Sequence, residues 1–258
     1  MPSLRSLTKS VFYGALDVST GGRGVRRVIN GEPIRFPARW YRYFPADYEA
    51  GNFAFVRAHC RAGHTALDIG AHIGLYSVLM AHLVGPDGRV FAFEPTPGTL
   101  DVLRETVRLN GCADRVEVRG EAVARQTGTA TFYDTGHDVS NANSLVRSEG
   151  SQRGLTVPTV SLDDFAARHD LSVNCLKIDV EGAELDVLVG GEQTFMRCRP
   201  AVALNLHPPF VRAAGQSMDD IWRVLRQYDM RVLYEGREVE EAWFCAQPNL
   251  FDVHLLPR

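Results

Sequence analysis

One stretch, Leu67-Asp68-Ile69-Gly70-Ala71-His72-Ile73-Gly74, constrains this chain more than any other. It reads as a buried strand, Thr65 to Ile69, whose end runs through two glycines into a helix, Leu75 to Leu83. Gly70 lets the backbone turn and come close to a ligand, and Gly74 lets the following helix pack closely. The spacing discriminates between nucleotides. A dinucleotide site uses G-x-G-x-x-G, so that a pyrophosphate sits on the helix N-terminus. Here the pattern is D-x-G-x-x-x-G, and the carboxylate of Asp68 stands where an incoming anion is unwelcome. Such a carboxylate suits a cationic ligand end, such as the amino group of methionine. Glu94 closes a second strand, Arg89 to Phe93, about 20 residues beyond Gly74, the distance at which a Rossmann-like fold puts an acid to accept hydrogen bonds from both ribose hydroxyls. Pro95 stiffens the position behind it. A nucleoside site explains these features together, whereas a tight strand-to-helix turn explains only the glycines.

The same alternation continues along the chain and predicts a mostly parallel α/β sheet. Helices are expected at Leu100 to Leu109, Glu184 to Phe195 and Met218 to Tyr228. Strands are expected at Val116 to Val118, Ala130 to Tyr133, Val157 to Val160, Cys175 to Val180, Ala201 to Leu206, Arg231 to Tyr234 and Phe251 to Leu256. Ser161 is a helix N-cap, followed by Asp163 and Asp164 in the first turn. Ahead of this domain, assigned to residues 57–258, residues 1–56 read as a helical and aromatic extension. Pro2 to Leu16 has helical spacing and is expected to dock on its own domain; Ser19 to Arg27, with three glycines, reads as a loop. The rings of Trp40 to Phe55 either cover a ligand or pack a helix against the sheet. Gly136 to Gly154 is a long polar insertion.

With 258 residues, 45% of them hydrophobic, the chain can bury a full-sized core. Its net charge of -3 and pI near 6.2 argue against nucleic acid as a partner and for a small molecule. The five cysteines show no zinc-ligand spacing and read as reduced thiols. No apolar run approaches the roughly 18 residues of a membrane span, and Met1 to Leu16 lacks the core of a secretory signal, so neither membrane nor export is expected and the location is read as cytoplasmic.

Several motifs together resemble the FkbM family of S-adenosylmethionine (AdoMet)-dependent methyltransferases. They are Asp68-Ile-Gly-Ala-His-Ile-Gly74, Phe93-Glu94-Pro95, Val160-Ser-Leu-Asp-Asp-Phe165, Leu176-Lys-Ile-Asp-Val-Glu-Gly-Ala-Glu184 and Leu206-His207-Pro208. The resemblance spans roughly residues 60 to 210 and implies a class I methyltransferase fold: a Rossmann-like, seven-stranded, mostly parallel sheet with its last strand antiparallel and helices on both faces. It implies AdoMet as cofactor and often O-methylation of natural products or sugars. Two positions depart from the family's habit: His72 stands where Asn is common, and Asn205-Leu-His207 where Glu-x-His is common.

In an open α/β sheet the reaction site lies outside the carboxyl ends of the strands. That rule gathers Asp179, Glu181, Asn205 and His207 around the crevice of Gly70 and Glu94. Residues expected to bind the cofactor are Asp68, Gly70, Gly74, Glu94, Pro95, Glu121, Ala122 and Asp179. Gly120-Glu121-Ala122 follows the third strand, and Glu121 is either an acceptor for the adenine amino group or a solvated loop acid. His207 is the candidate general base, because an imidazole accepts a proton near neutral pH; its alternative is a structural histidine before a Pro-Pro turn. Asp179 is the second candidate catalytic residue. It can orient the substrate, act as base, or bind Mg²⁺ with Asn205 or Glu181, although no motif fixes a ligand set and no metal is expected. Asn143 and Ser144, in a loop that can close as a lid, join Glu181 and Asn205 as candidate substrate contacts. Glu184 falls in a helix's first turn, where the dipole explains it, and Lys177 reads as a core-edge ion pair with Asp179. The activity expected is O-methylation of a hydroxyl on a small molecule. N-methylation and a nucleoside-binding module without chemistry are the alternatives, and a homodimer is left open.

Overall fold

Strands buried on both faces of a sheet read as unbroken apolar runs, and four such runs form the centre of this protein. In the computed structural model, which describes residues 13, 19–134, 145 and 153–258, they are β3 (Thr65–Ile69), β4 (Arg89–Phe93), β9 (Val173–Ile178) and β10 (Ala201–Leu206). Outside them lie β5 (Val116–Arg119), β11 (Met230–Tyr234), β12 (Arg237–Glu238) and β13 (Phe251–Pro257), in an eight-stranded sheet of order β12-β11-β13-β10-β9-β3-β4-β5. The five strands from β10 to β5 are parallel, and β13 runs antiparallel between β10 and β11. The expected seven-stranded order with its last strand reversed is therefore present, and the two-residue β12 adds an eighth strand at the edge. From β3 the chain winds outward to β5, then returns to the centre at β9, so the switch point lies between the carboxyl ends of β3 and β9.

The two faces of the sheet differ in side-chain size. Leu67, Ile69, Phe91, Phe93, Leu176, Ile178 and Leu204 point to one face, covered by α4 (Leu162–Arg168), α5 (Glu184–Val189), α6 (Glu192–Cys198) and α8 (Met218–Gln227). Alternate positions of the same strands, Ala66, Ala92, Cys175 and Ala203, give the other face small side chains. There α2 (Leu75–Val84) packs close, with α1 (Ala50–His59) and α3 (Pro97–Leu109) beside it. Gly74, at φ 92°, makes this possible, because a Cβ there would meet Leu103 Cδ1 at 2.7 Å.

Three local expectations are corrected. The helix expected from Glu184 to Phe195 breaks at Gly190-Gly191 into α5 and α6. A Cβ on Gly190 would lie 2.3 Å from the Ala124 carbonyl oxygen, and one on Gly191 2.7 Å from Leu162 Cδ2, so the break presses against the neighbouring loop and α4. The loop read from Ser19 to Arg27 ends in a hairpin, β1 (Val25–Ile29) and β2 (Glu32–Phe36), joined by Asn30 and Gly31 at φ 47° and 82°. Both positive angles are those of a two-residue hairpin turn. Finally, Trp40 to Phe55 is not one helix: turns occupy residues 38–49 and only then does α1 begin. Ile29, Ile34, Phe36, Phe44 and Phe53 belong to the same apolar cluster as α2, and α1 runs through residue 56.

A second sheet of order β6-β8-β7, formed by β6 (Ala122–Val123), β7 (Gly128–Asp134) and β8 (Arg153–Val160), flanks the crevice. Ser161 Oγ accepts the Asp164 amide at 3.1 Å, the expected cap. The remaining helices are α7 (Pro208–Ala213) and α9 (Glu241–Cys245). Among the described residues no helix is long and apolar enough to cross a membrane. Nearly all of the expected helix Pro2 to Leu16, and all of the Asn141-Ala-Asn-Ser144 lid with Asn143 and Ser144, lie outside the described residues.

Candidate active site

The turn after β3 is held against both neighbouring strand ends. The Gly70 and Ala71 amides donate to the Phe93 carbonyl at 3.0 and 2.9 Å, and the Asp179 amide donates to the Ile69 carbonyl at 2.9 Å. Gly70, at φ 82°, passes so close to the chain after β9 that a Cβ would stand 1.8 Å from the Asp179 carbonyl oxygen. No other residue fits there. His72 also adopts a left-handed backbone, φ 48°, which accounts for Asn as the usual residue at this position, since Asn tolerates that conformation.

Two pockets open at these strand ends and share Gly70, His72, Asp179 and Glu181. The first, about 600 Å³, has apolar walls from Ile69, Phe93, Val123, Phe132 and Leu145, with Glu94 at its base. Glu94 Oε1 accepts the Thr96 amide at 2.8 Å and Oε2 the His72 amide at 3.1 Å. Burial pushes this carboxyl up to about 7, against the lowering effect of those hydrogen bonds. The carboxylate, which also takes the Thr96 side chain, keeps acceptor capacity for a ligand hydroxyl. Pro95, Glu121 and Ala122 complete the lining. Glu121 is not a free loop acid: Arg119 pairs with it at 2.6 Å. Leu145 and Phe132 are contacts that the sequence alone did not single out.

The second pocket, about 670 Å³, is polar at its base and aromatic at its mouth. Asp68 lies on its wall, 1% exposed, with Oδ2 accepting from Ser77 Oγ at 2.6 Å; burial raises it to about 6. Lys177, also buried, reaches Asp179 Oδ2 at 3.1 Å and Glu49 Oε2 at 3.8 Å, the expected ion pair with a second carboxylate added. Burial alone would lower the Lys177 pKa, but Asp179, Glu49 and Asp68 outweigh it and raise it. The same lysine helps keep Asp179 below its ordinary range, again against burial. Asn205 reaches the pocket, but its Oδ1 accepts from Asn52 Nδ2 at 3.1 Å, which ties it into the wall. Tyr43, Phe44 and Tyr48 form the mouth, so part of the aromatic segment does face the crevice.

At the base, His207 is 4% exposed and ringed by three carboxylates. Its Nε2 lies 3.6 Å from Asp179 Oδ1 and 3.4 Å from Glu181 Oε2, and its Nδ1 donates to Glu184 Oε1 at 2.8 Å. Burial would lower its pKa; Glu184, Glu181 and Asp179 outweigh that and push it up to about 9. Asp179, Glu181 and His207 place one donor atom each within 4.8 Å of one another. Glu184 corrects the sequence reading. It is 0% exposed and does more than offset a helix dipole, because its carboxylate fixes the imidazole and accepts the Gly182 amide at 2.9 Å. The run Glu181-Gly-Ala-Glu184 places both acids on one turn at Gly182, and the ring they share comes from the end of β10.

Comparison with known proteins agrees with this architecture. The sequence pattern of the Methyltransferase FkbM domain matches residues 68–232. A 31-O-demethyl-FK506 methyltransferase of Streptomyces tacrolimicus is 32% identical over 216 residues, covering 70% of this chain and 80% of that protein. This chain belongs to the FkbM methyltransferase family. It is thus an AdoMet-dependent methyltransferase. A 2-O-methyltransferase of Sinorhizobium fredii is 30% identical over 151 residues, 52% of this chain and 59% of the relative. A hexuronic acid methyltransferase of Haloferax volcanii is 30% identical over 129 residues, 48% of each chain. A solved structure from Clostridium thermocellum, assigned as an rRNA methylase, superposes with a TM-score of 0.51 at 10% identity, covering 80% of this chain and 93% of that one. At that identity the likeness is one of fold.

Proposed function

We propose that this FkbM-family protein methylates a hydroxyl group of a small molecule. The observation that carries the reading is the junction of two unlike pockets at Gly70, His72, Asp179 and Glu181. The first has the shape and chemistry for adenosine: apolar walls for a purine and a buried carboxylate, Glu94, for the ribose hydroxyls. The second brings an acidic and histidine cluster to the same point. AdoMet bound across the first pocket would supply a methyl group already activated on a sulfonium. What remains for the chain is to hold a nucleophile in line and relieve it of its proton.

Asp179 and His207 do this as a pair. Asp179, which lines the crevice, takes the proton of the acceptor hydroxyl as the methyl group leaves the sulfonium, while His207, protonated near neutral pH, stabilises the charge that develops. Glu181 and Asn205 line the acceptor side. The aromatic mouth of Tyr43 and Tyr48 suits stacking against an apolar or sugar-ring face. The relatives named as a 31-O-demethyl-FK506 methyltransferase and a 2-O-methyltransferase support oxygen as the acceptor atom.

The test is a screen of hydroxylated and amine acceptors with AdoMet, read by mass of the methylated product, alongside His207→Ala. Oxygen methylation that falls at least a hundredfold in the variant, with S-adenosylhomocysteine affinity kept, is the expected result. Methylation confined to amines, or insensitive to His207, would refute the oxygen reading.

A further inference from the structure

We propose that Asp179, Glu181 and His207 form a binding site for a divalent transition-metal ion, each giving one donor atom. The inference deepens the reading above. Ion binding itself stands apart from that reading, while the ion's use in methyl transfer rests on it.

The first observation is the spacing. His207 Nε2 stands 3.4 Å from Glu181 Oε2 and 3.6 Å from Asp179 Oδ1. Charge-assisted hydrogen bonds are shorter, about 2.7 to 2.9 Å. Donors sharing one ion at about 2.1 Å are instead separated by roughly 3.0 to 3.5 Å, the edges of an octahedron or tetrahedron. The three donor atoms all lie within 4.8 Å of one another, close enough to share one ion after small shifts.

The second observation is what lies behind them. Glu184, fully buried, takes the Nδ1–H of His207 at 2.8 Å, which turns Nε2 toward the two carboxylates. A carboxylate on the far nitrogen of a ligating histidine is the usual support of such a metal ligand. Lys177 holds Asp179 Oδ2 at 3.1 Å, leaving Oδ1 for the site.

The third is backbone strain. Glu181 sits at φ 54°, and Gly182 at φ 102° is packed so tightly that a Cβ would lie 2.5 Å from Phe210 Cβ. This turn aims Glu181 at the cluster.

Three protein donors leave positions open for an acceptor oxygen. The Asp179 and Glu181 side chains, 25% and 15% exposed, face the second pocket, where such an oxygen would enter. The imidazole changes the expected ion. A nitrogen with two carboxylates favours Mn²⁺ or Zn²⁺ over Mg²⁺, which prefers oxygen throughout. Asn205 is not in the set, since its amide oxygen is engaged by Asn52. With the ion bound, the three side chains would act on the acceptor hydroxyl through it, the ion lowering the hydroxyl's pKa in place of direct proton transfer to Asp179.

The test titrates chelator-washed, tag-free full-length protein with Mn²⁺ by calorimetry and records pulsed EPR on the Mn²⁺-loaded sample. One saturable site with a ¹⁴N coupling from imidazole is expected, and the coupling disappears in His207→Ala. Glu181→Gln and Asp179→Asn should weaken Mn²⁺ at least tenfold, and Glu184→Gln also about tenfold through the imidazole's orientation. Circular dichroism and thermal unfolding identify which variants remain folded; should none do so, the wild-type EPR spectrum decides alone. No saturable Mn²⁺ binding at millimolar metal, or a wild-type spectrum without ¹⁴N coupling, overturns the site. Failure of wild-type S-adenosylhomocysteine binding would instead count against the donor pocket and leave the metal result standing.

Discussion

Replacing Glu94 by glutamine separates ligand binding from fold stability. Burial moves this carboxyl from 4.5 to about 7, so above pH 7 keeping it ionised in the fold costs roughly 3 kcal/mol. The sign follows from an acid whose folded pKa is raised: the protein loses stability as pH climbs from 4.5 to 7, then levels off. Glutamine removes that cost. It also turns one acceptor into a donor, leaving the Thr96 or His72 amide unpaired at about 1 to 3 kcal/mol. The two effects oppose each other, so at pH 8 the melting temperature should change by only a few degrees. Binding has no such offset. Losing a charged acceptor for a ribose hydroxyl costs about 1.5 to 3 kcal/mol, or roughly ten- to a hundredfold in S-adenosylhomocysteine affinity. In the wild type, a group titrating at about 7 is mostly ionised at pH 8 and mostly protonated at pH 6, which weakens the ligand about tenfold over that interval. Calorimetry at both pH values, on wild type and variant, reads all of this. A variant that binds within twofold of wild type at pH 8, or a wild-type affinity that does not change with pH, would refute the assignment of Glu94 to the ribose.

Gly70→Ala should abolish cofactor binding and lower the melting temperature, because the left-handed backbone costs about 1 to 2 kcal/mol for alanine and the Asp179 carbonyl must also move; wild-type affinity would remove the close approach from the argument. Lys177→Met strands two carboxylates in a buried setting and should cost about 3 to 5 kcal/mol, read by urea unfolding. Asn30→Ala removes a residue suited to the left-handed turn and its Nδ2 bond to the Tyr48 carbonyl at 2.6 Å, and should cost about 1 to 2 kcal/mol with S-adenosylhomocysteine affinity unchanged; a loss of that affinity would show that the hairpin's hold on Tyr48 extends to the donor pocket.

Much of the sheet was legible because its strands are bounded by local signals. β3, β4 and β10 match their expected ends to the residue, since each is an apolar run stopped by a turn or a charged group. The crevice residues were legible for the same reason: they sit at strand ends, and a parallel sheet gathers those ends in space. What escaped depended on tertiary contact. Gly190-Gly191 reads as a tolerable interruption of a helix until Ala124 and Leu162 are seen to press on it. Glu184 has a sufficient local explanation, and only the approach of β10 reveals its bond to His207. For Glu121 the sequence left an adenine acceptor and a solvated loop acid both open, and its pairing with Arg119, two residues away, shows only in the folded chain. The hairpin was different. Asn30-Gly31 directly after Val28-Ile29 is a strong turn signal, obscured by the glycine-rich run before it.

The contact between Gly70 and the Asp179 carbonyl ties the donor and acceptor sides into one mechanical piece. A change that loosens the glycine turn shifts the aspartate as well, so neither half can be retuned without disturbing the other. Freedom lies elsewhere. Tyr43, Phe44 and Tyr48 come from turns laid over the crevice, and Leu250 from the approach to β13, so the pocket's outer wall can change shape while the strand ends stay as they are. Diversification toward new acceptors therefore has an outlet at the rim, and a library confined to its two exposed positions, Tyr43 and Leu250, would explore substrate choice while Phe44, packed in the core, stays fixed.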